Sequence, residues 1–370
     1  MKVAIFGGSF NPVHNEHIKV AKAVVKELSL DKLIIMPTFI SPHKQGVKFI
    51  SPNHRLNMLN LAFQGEPLIE ISDYEVKKQG VSYTYQTVEY FKSLYPSATL
   101  YFMMGSDMLE NFPTWKNPEQ IVKNATLLLT ERRSGEFDDS ALIDNVYNLY
   151  GAVVEKINAY GETISSTKIR VYKKLGLSLD GLVPKAVEDY IDSSNLYEGD
   201  RYYEYIKNAL PVKRRVHTAG VILMALKLAK RLKVDADKAE LAALLHDLAK
   251  YNSGEGYEGK IPSDLPSDIV HQFLGEYIAR HELGVCDEDV LSAIKYHTTG
   301  RAGMTDLEKV IYIADLLEPS RKFDGVDLLR KEIDKDFNKG FKICLEEIVE
   351  FLKRDGKEVY ELTLQALKEE

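Results

Sequence analysis

Residues 3–17 read VAIFGGSFNPVHNEH, and this stretch decides the fold of the first half of the chain. Residues 3–6 form an unbroken apolar run, as expected of a strand covered on both faces. Gly7 and Gly8 follow, and residues without Cβ atoms allow a tight turn and a close approach of backbone N–H groups to a ligand. A helical pattern then begins at residue 18. Strand, glycine turn and helix start together make a phosphate cradle, because a helix N-terminus offers unpaired N–H donors and the positive end of a dipole. The loop is not a P-loop, since no Gly-Lys-Ser/Thr follows. His14 and His17, three positions apart at the helix start, project toward one ligand. Two imidazole donors there would stabilise the charge that develops on a triphosphate when its α-phosphate is attacked, by positioning and electrostatics alone. An isolated pair of this kind is better read as two satisfied histidines beside a turn. The glycines upstream and the strand–turn–helix context reverse that reading.

Outward from this stretch, LIIMP (33–37), LYFMMG (100–105), ATLLLT (125–130) and GAVVEKI (151–157) also read as buried strands. Amphipathic stretches such as IKVAKAVVKEL (18–28) and YQTVEYFKSL (85–94) serve as crossovers between them. This alternation is the signature of an α/β doubly wound parallel sheet. From about residue 200 the character changes to helical periodicity alone: 216–232, 238–250, 268–283 and onward. That half is expected to be all-α. The polar, tyrosine-rich segment 192–205 is the natural boundary, which gives domains at 1–197 and 201–370.

A length of 370 residues is too great for one ordinary domain. Hydrophobic residues make up 45% and charged residues 28%, enough apolar mass for real cores. The net charge of −7 argues against a dedicated nucleic-acid or membrane surface, while leaving room for a local basic pocket. Cys286 and Cys344 lie far apart without a metal-binding spacing, so no disulfide framework is expected and a reducing cytoplasm fits. MKVAIFGG is too short an apolar run for a signal peptide, and no run approaches the roughly 18 residues of a membrane helix. Both observations point to a cytoplasmic protein.

In the second half, His217, the adjacent pair His246-Asp247, His271, His297 and Asp315 each lie on or at the end of an apolar helical pattern. A buried aspartate without a partner is costly, whereas a metal satisfies it. One buried histidine is an ordinary core residue; four, with two aspartates, are harder to explain that way. His281 falls off the pattern and reads as structural or exposed. Lys250, four residues beyond His246, and Arg301 are candidates to pair with phosphate.

GGSFNPVHNEH resembles the GGxFxPxHxxH opening of the nucleotidyltransferase superfamily with an (H/T)xGH-like signature, and within it the nicotinate mononucleotide adenylyltransferases. Glu16 stands where many relatives have glycine. PTFISPHK (37–44) resembles the loop that ends in a phosphate-binding lysine, and ISSTKIR (164–170) the signature that opens a late helix and contacts ATP. SYTYQT (82–87), GSD (105–107), the Trp115 segment and ERRSG (131–135) match as well, so the resemblance covers residues 1–197. It implies a Rossmann-like fold that transfers AMP from ATP to nicotinate mononucleotide, giving nicotinate adenine dinucleotide and pyrophosphate in NAD biosynthesis, with Mg²⁺ on the ATP phosphates. It places Gly7, Gly8, Ser9, Phe10, His14, His17, Lys44, Asp107, Ser165, Ser166, Thr167 and Arg170 around ATP. Among these His14, His17, Lys44 and Arg170 would be catalytic. Thr84, Tyr85, Asp107, Trp115, Lys116 and Arg132 would hold the mononucleotide, with backbone groups near Thr84 and Lys116 on its carboxylate. Physically, Lys44 is a mobile point charge, the Ser165–Thr167 run can cap a helix, and Arg170 lies one turn in. Asp107 suits a ribose hydroxyl. Trp115, the one tryptophan, suits either a stacked pyridine or core packing.

The order His…His-Asp…His…His…Asp resembles the HD-domain phosphohydrolases that hold two metals, and more closely the symmetrical diadenosine tetraphosphate hydrolases of HD type. ALLHDLAKY (243–251), IVHQFLGEYI (269–278) and AIKYHTTGRAGMTDLEKVIYIADLLEPSR (293–321) carry the likeness. It implies that His217, His246, Asp247 and Asp315 hold one metal, with Asp247 bridging to a second on His271 and His297. Asp247 and Lys250 would be catalytic, and the substrate a dinucleoside polyphosphate. The ligand chemistry admits iron, manganese, cobalt or zinc. Two alternatives stay open: another acceptor for the first half, and a second half that is a nucleotide-binding regulatory module. A homo-oligomer is compatible with everything above.

Overall fold

The structure is a computed structural model that describes residues 1–40, 49–130, 139–157, 164–263 and 265–369. Lys44 and Arg132 therefore lie outside the described residues. The chain folds as two compact units, Met1–Arg170 with Leu179–Leu196, and Val171–Ser178 with Tyr197–Glu370.

The first unit contains strands β1 (Lys2–Gly8), β2 (Lys32–Pro37), β3 (Ile69–Ile71), β4 (Thr99–Met104), β5 (Thr126–Thr130) and β6 (Val154–Ile157). They form one sheet in the order β3-β2-β1-β4-β5-β6, and every pairing is parallel. This is the doubly wound architecture expected from the sequence. Val3 and Ile5 pack with Ile34, Met36, Leu100, Phe102, Leu127 and Leu129, and the helix Thr84–Leu94 covers them with Val88 and Phe91. Each fully buried aliphatic side chain of this kind contributes about 1.5–3 kcal/mol relative to exposure. The strand order reverses between β1 and β4, so their carboxyl ends flank the crevice where such sheets take ligands.

Three local expectations are corrected. β3 has no counterpart in the expected strands; at three residues, IEI, and paired only with β2, it offers no apolar run. β6 begins at Val154 rather than 151, because Gly151, at φ 66°, closes the preceding helix Ser140–Tyr150. The first helix starts at Asn15, three residues earlier than its apolar pattern.

The second unit is helical, with no strand among the described residues. The helix Val212–Leu232 packs Ala219, Ile222, Ala225 and Ala229 into one core with Ala239, Ala242, Ala243 and Leu245 of the helix Ala236–Leu245. A single boundary near residue 200 does not describe this packing. Val171, Leu175 and Leu177 belong to the second unit's core, so residues 171–178 go with it. The pattern 238–250 is also not one helix. It ends at Leu245, and turns follow in which Leu248 N–H donates to the Leu245 carbonyl (3.1 Å) and Lys250 N–H to the Asp247 carbonyl (2.9 Å).

The helices Val326–Lys335 and Phe337–Arg354 meet at Gly340, where an added Cβ would lie 2.7 Å from the Ile333 nitrogen. Local propensity favours alanine over glycine in a helix by about 1 kcal/mol. The clash is with backbone and cannot rotate away, so overpacking at about 1–3 kcal/mol reverses the sign. Gly340→Ala is expected to lower the thermal unfolding midpoint of the second unit. A raised midpoint would show that the two helices move apart freely.

Candidate functional site

In the first unit β1 runs through Gly8, registered against Pro37, so both glycines are strand residues. The left-handed residue of the turn is Phe10, at φ 44°. What Gly8 supplies is the missing Cβ, which would sit 2.9 Å from the Phe10 ring. Phe10 is buried and meets His17 edge-on, with ring centroids 4.9 Å apart. His14 caps the helix Asn15–Glu27, and its backbone N–H donates to Nδ1 of His17 at 3.2 Å. In the neutral imidazole this leaves the proton of His17 on Nε2, a donor. The two rings stack at 3.6 Å, which fixes both rotamers.

The third motif reaches the same loop. Ser165 Oγ accepts from Lys168 N–H at 3.2 Å, capping the helix Ser166–Lys174. Ser166 Oγ donates to the Pro12 carbonyl, and Arg170 Nη1 to the Asn11 carbonyl, each at 2.8 Å. Arg170 Nη2 also donates to Thr167 Oγ1 at 3.2 Å. Two motifs some 150 residues apart in sequence are thus hydrogen-bonded into one loop. Arg55, fully buried on the helix Pro52–Ala62, donates to the Ser9 carbonyl at 2.9 Å. Sequence reasoning missed it; the signal was an arginine set among the apolar residues of RLNML.

Asp107 is exposed in the first turn of the helix Ser106–Glu110, directly after β4. Thr84 opens its helix behind Tyr83, whose side chain makes no cap, and Tyr85 follows. Lys116 Nζ lies 4.5 Å from the Tyr83 ring centroid, which brings the two proposed carboxylate-binding segments together. Trp115 is half-buried, with its ring 5.3 Å from Phe112 and 6.1 Å from Phe102. Core packing accounts for part of its surface.

In the second unit all six expected ligands converge. His217, His246 and Asp315 form one group and Asp247, His271 and His297 another; within each, the ligand atoms lie within 4.8 Å of one another. Asp247, 2% exposed, stands between them. Its Oδ2 lies 3.8 Å from His217 Nε2 and 3.4 Å from His246 Nε2. Its Oδ1 lies 3.4 Å from His271 Nε2 and 3.7 Å from His297 Nε2. Burial pushes His271 down to about 3, so that ring is neutral and can ligate at neutral pH.

The tautomers test whether these residues fit a metal. His246 Nδ1 lies 2.7 Å from the Ala243 carbonyl, and His297 Nδ1 2.8 Å from the Ile294 carbonyl. A carbonyl only accepts, so both Nδ1 atoms carry hydrogen and both neutral rings turn an Nε2 lone pair inward. His217 Nδ1 faces Glu318 Oε1 at 3.0 Å, which in the neutral ring turns its Nε2 lone pair toward Asp315 Oδ1, also at 3.0 Å. The buried Nε2 atoms of His217 and His246 have no hydrogen-bond partner. Lone pairs aimed at carboxylate oxygens repel unless a cation lies between them, and mixed imidazole–carboxylate donors suit a divalent ion. The residues fit.

Several neighbours were not expected. Arg214 pairs with Asp247 Oδ2 at 2.8 Å, and Arg321 donates to the Asp315 carbonyl at 2.9 Å. Gln272, fully buried, accepts from the backbone N–H groups of Thr298 and Thr299, which fixes the loop after His297. Lys250 Nζ lies 3.1 Å from His271 Nε2 and 3.9 Å from Asp247 Oδ1. It lines a cavity of about 220 Å³ with Asn252, Ser267, Asp268, Val270 and His271. Arg301 is corrected: it makes a two-point pair with buried Glu308 at 2.8 and 2.9 Å, a structural bond rather than a phosphate contact. His281, exposed and with its ring 4.4 Å from that of Tyr277, stays outside the cluster.

Residues 5–171 match the family described as cytidylyltransferase-like, and residues 214–320 the HD domain. The chain is 30% identical over 370 residues to a probable nicotinate-nucleotide adenylyltransferase/Ap4A hydrolase of Mycoplasma genitalium, covering 98% of this chain and 97% of the relative. It is 34% identical over 197 residues to the nicotinate-nucleotide adenylyltransferase of Bacillus subtilis, covering 53% and 98%. Over 163 residues it is 41% identical to the symmetrical bis(5'-nucleosyl)-tetraphosphatase of Bacillus subtilis, covering 42% and 88%.

A ligand that binds only the folded state stabilises it by about 2.7 kcal/mol at a hundredfold excess over Kd. Mn²⁺ is therefore expected to raise the unfolding midpoint of the second unit, and EDTA to reverse the rise. Asp247→Ala should abolish this response. A midpoint indifferent to Mn²⁺ in the unmutated chain would contradict the metal reading.

Proposed function

Because the chain belongs to the family of nicotinate-nucleotide adenylyltransferase/Ap4A hydrolases, we propose that its glycine–histidine loop and its histidine–aspartate cluster are two separate active sites. The chain is a bifunctional enzyme: it transfers AMP from ATP to nicotinate mononucleotide, and it hydrolyses a nucleotide phosphoanhydride, that of diadenosine tetraphosphate. We assign the first activity to residues 1–197, although 171–178 pack with the other unit, and the second to residues 201–370. The observation that carries this reading is the convergence of His217, His246, Asp247, His271, His297 and Asp315, from elements nearly 100 residues apart, on one buried point.

In the first site the 5′-phosphate oxygen of nicotinate mononucleotide attacks the α-phosphorus of ATP in line. The α–β bridging oxygen leaves with its electron pair on pyrophosphate. His17 Nε2–H, His14 and the N–H groups of the adjoining helix start stabilise the negative charge that builds on the α-phosphate. Arg170 and Ser166 act through the loop they hold at Asn11 and Pro12. Gly7, Gly8, Ser9 and Phe10 shape that loop, and Ser165 and Thr167 shape the helix start beside it. Lys44 and Mg²⁺ accompany the triphosphate, and Asp107 binds a ribose hydroxyl. Trp115 stacks on the pyridine, and Arg132 binds the mononucleotide. The segments at Thr84–Tyr85 and Lys116 hold the nicotinate carboxylate, and so separate acid from amide.

In the second site the six residues would hold two divalent ions, with iron, manganese, cobalt and zinc all compatible with these donors. Such ions activate water and neutralise phosphoanhydride oxygens. Asp247 would offer one carboxylate oxygen to each metal position, and Lys250 offers its ammonium to the phosphate chain entering by the cavity it lines. Symmetric hydrolysis of diadenosine tetraphosphate then gives two ADP.

Removing a preorganised donor to a developing oxyanion costs about 10²–10³-fold in rate. His17→Ala is expected to lower AMP transfer to nicotinate mononucleotide by at least that factor and to spare tetraphosphate hydrolysis. Asp247→Ala should do the reverse. Both rates are measured on the full chain, with flavin mononucleotide, pantetheine phosphate and the amide mononucleotide as rival acceptors. Loss of both activities from either change would sink the separate-sites account, and faster turnover of a rival acceptor would sink the substrate assignment.

A further inference from the structure

Three histidines of the cluster are held through Nδ1, but not in the same way. His246 and His297 sit at the C-caps of their helices, where the last carbonyls have no intrahelical partner. Each ring uses the carbonyl three residues back, that of Ala243 or Ile294. His217 lies inside the helix Val212–Leu232, where the carbonyls of the preceding turn are engaged in the helix ladder. Its own helix cannot orient it, so an acceptor has to come from elsewhere.

That acceptor is Glu318, just past the helix Asp306–Leu317 that carries Asp315. The carboxylate is 1% exposed and closely held. Ser320 N–H donates to Oε2 at 2.7 Å, and Ser320 Oγ donates to Oε1. Arg330 fixes the backbone behind it by donating to the carbonyls of Leu317 (3.0 Å) and Glu318 (2.8 Å). Room for the carboxylate comes from Gly220, one turn beyond His217 on the same helix. A Cβ there would fall 2.2 Å from Oε2 and 2.9 Å from Cδ of Glu318.

We infer that Glu318 is the positioning residue of the first metal position: its carboxylate fixes the tautomer and rotamer of His217, in a cradle that Gly220 leaves open. The inference rests on the metal reading above. A carboxylate behind a ligating imidazole sets the ring's orientation and raises its basicity, and loss of such a partner typically lowers metal affinity about 10–100-fold. It also gives a role to the glutamate of the IADLLEPSR segment, beside the ligand Asp315.

The test loads the full chain with Mn²⁺ and titrates it with a chelator, counting ions per chain by atomic emission. The unmutated chain is expected to retain two ions. Glu318→Ala and Gly220→Ala should each release one ion at about 10–100-fold lower chelator strength and keep the other at its original affinity. Glu318→Gln keeps the shape and loses the charge, so it should fall between; it decides the matter if the alanine variant does not fold. Two ions at full affinity in the glutamine variant would overturn the inference, because a merely structural side chain is satisfied by glutamine. Loss of both ions together in Gly220→Ala would overturn it as well. A wild-type chain that takes up no more Mn²⁺ than Asp247→Ala would overturn the metal reading itself.

Discussion

Asp247 presents its two carboxylate oxygens to different pairs of histidines while 2% of the residue is exposed. A carboxylate withdrawn from water carries a desolvation penalty of several kcal/mol unless partners compensate it. The second unit can be read as the set of helices that supplies those partners. The helix Val212–Leu232 brings Arg214 and His217, the turn after Leu245 brings His246, and His271 and His297 come from two further helices. The many alanines between these helices let their axes approach closely enough for the side chains to meet. Packing and chemistry are therefore one constraint here: loosening the core separates the ligands.

The candidate site of the first unit has no such cluster. Its candidate phosphate donors are a helix start and a pair of stacked histidines, on a loop held by carbonyl contacts from Ser166, Arg170 and Arg55 to Pro12, Asn11 and Ser9. The sheet contributes position, because β1 and β4 end side by side where the strand order reverses. Backbone donors suit a transfer between two phosphates that arrive with much of their own charge balance. Hydrolysis requires water to be activated, and that is where buried imidazoles and carboxylates are concentrated.

Much of this was legible in the sequence for identifiable reasons. The runs VAIF, LIIMP, LYFMMG and ATLLLT announce a buried parallel sheet because strands covered on both faces need no polar alternation. The six candidate ligands stand out because charged groups inside apolar helices require an explanation. What stayed hidden depends on tertiary contact. The strand Ile69–Ile71 is too short to carry a pattern, and the left-handed turn residue is Phe10 where glycine was the natural guess. Arg301 looked like a free cation until its pairing with Glu308 appeared. Arg55 is an ordinary helical arginine until the fold buries it against the Ser9 carbonyl. The segment 171–178 crosses to the second unit because its Val171, Leu175 and Leu177 find their core there.

The central claim is that one buried aspartate divides two metal positions. Anomalous diffraction from crystals of the full chain grown with Mn²⁺ tests it most directly. The account predicts two peaks, one among His217, His246 and Asp315 and one between His271 and His297, with an oxygen of Asp247 facing each. A single peak, or peaks that leave Asp247 paired only with Arg214, would contradict it.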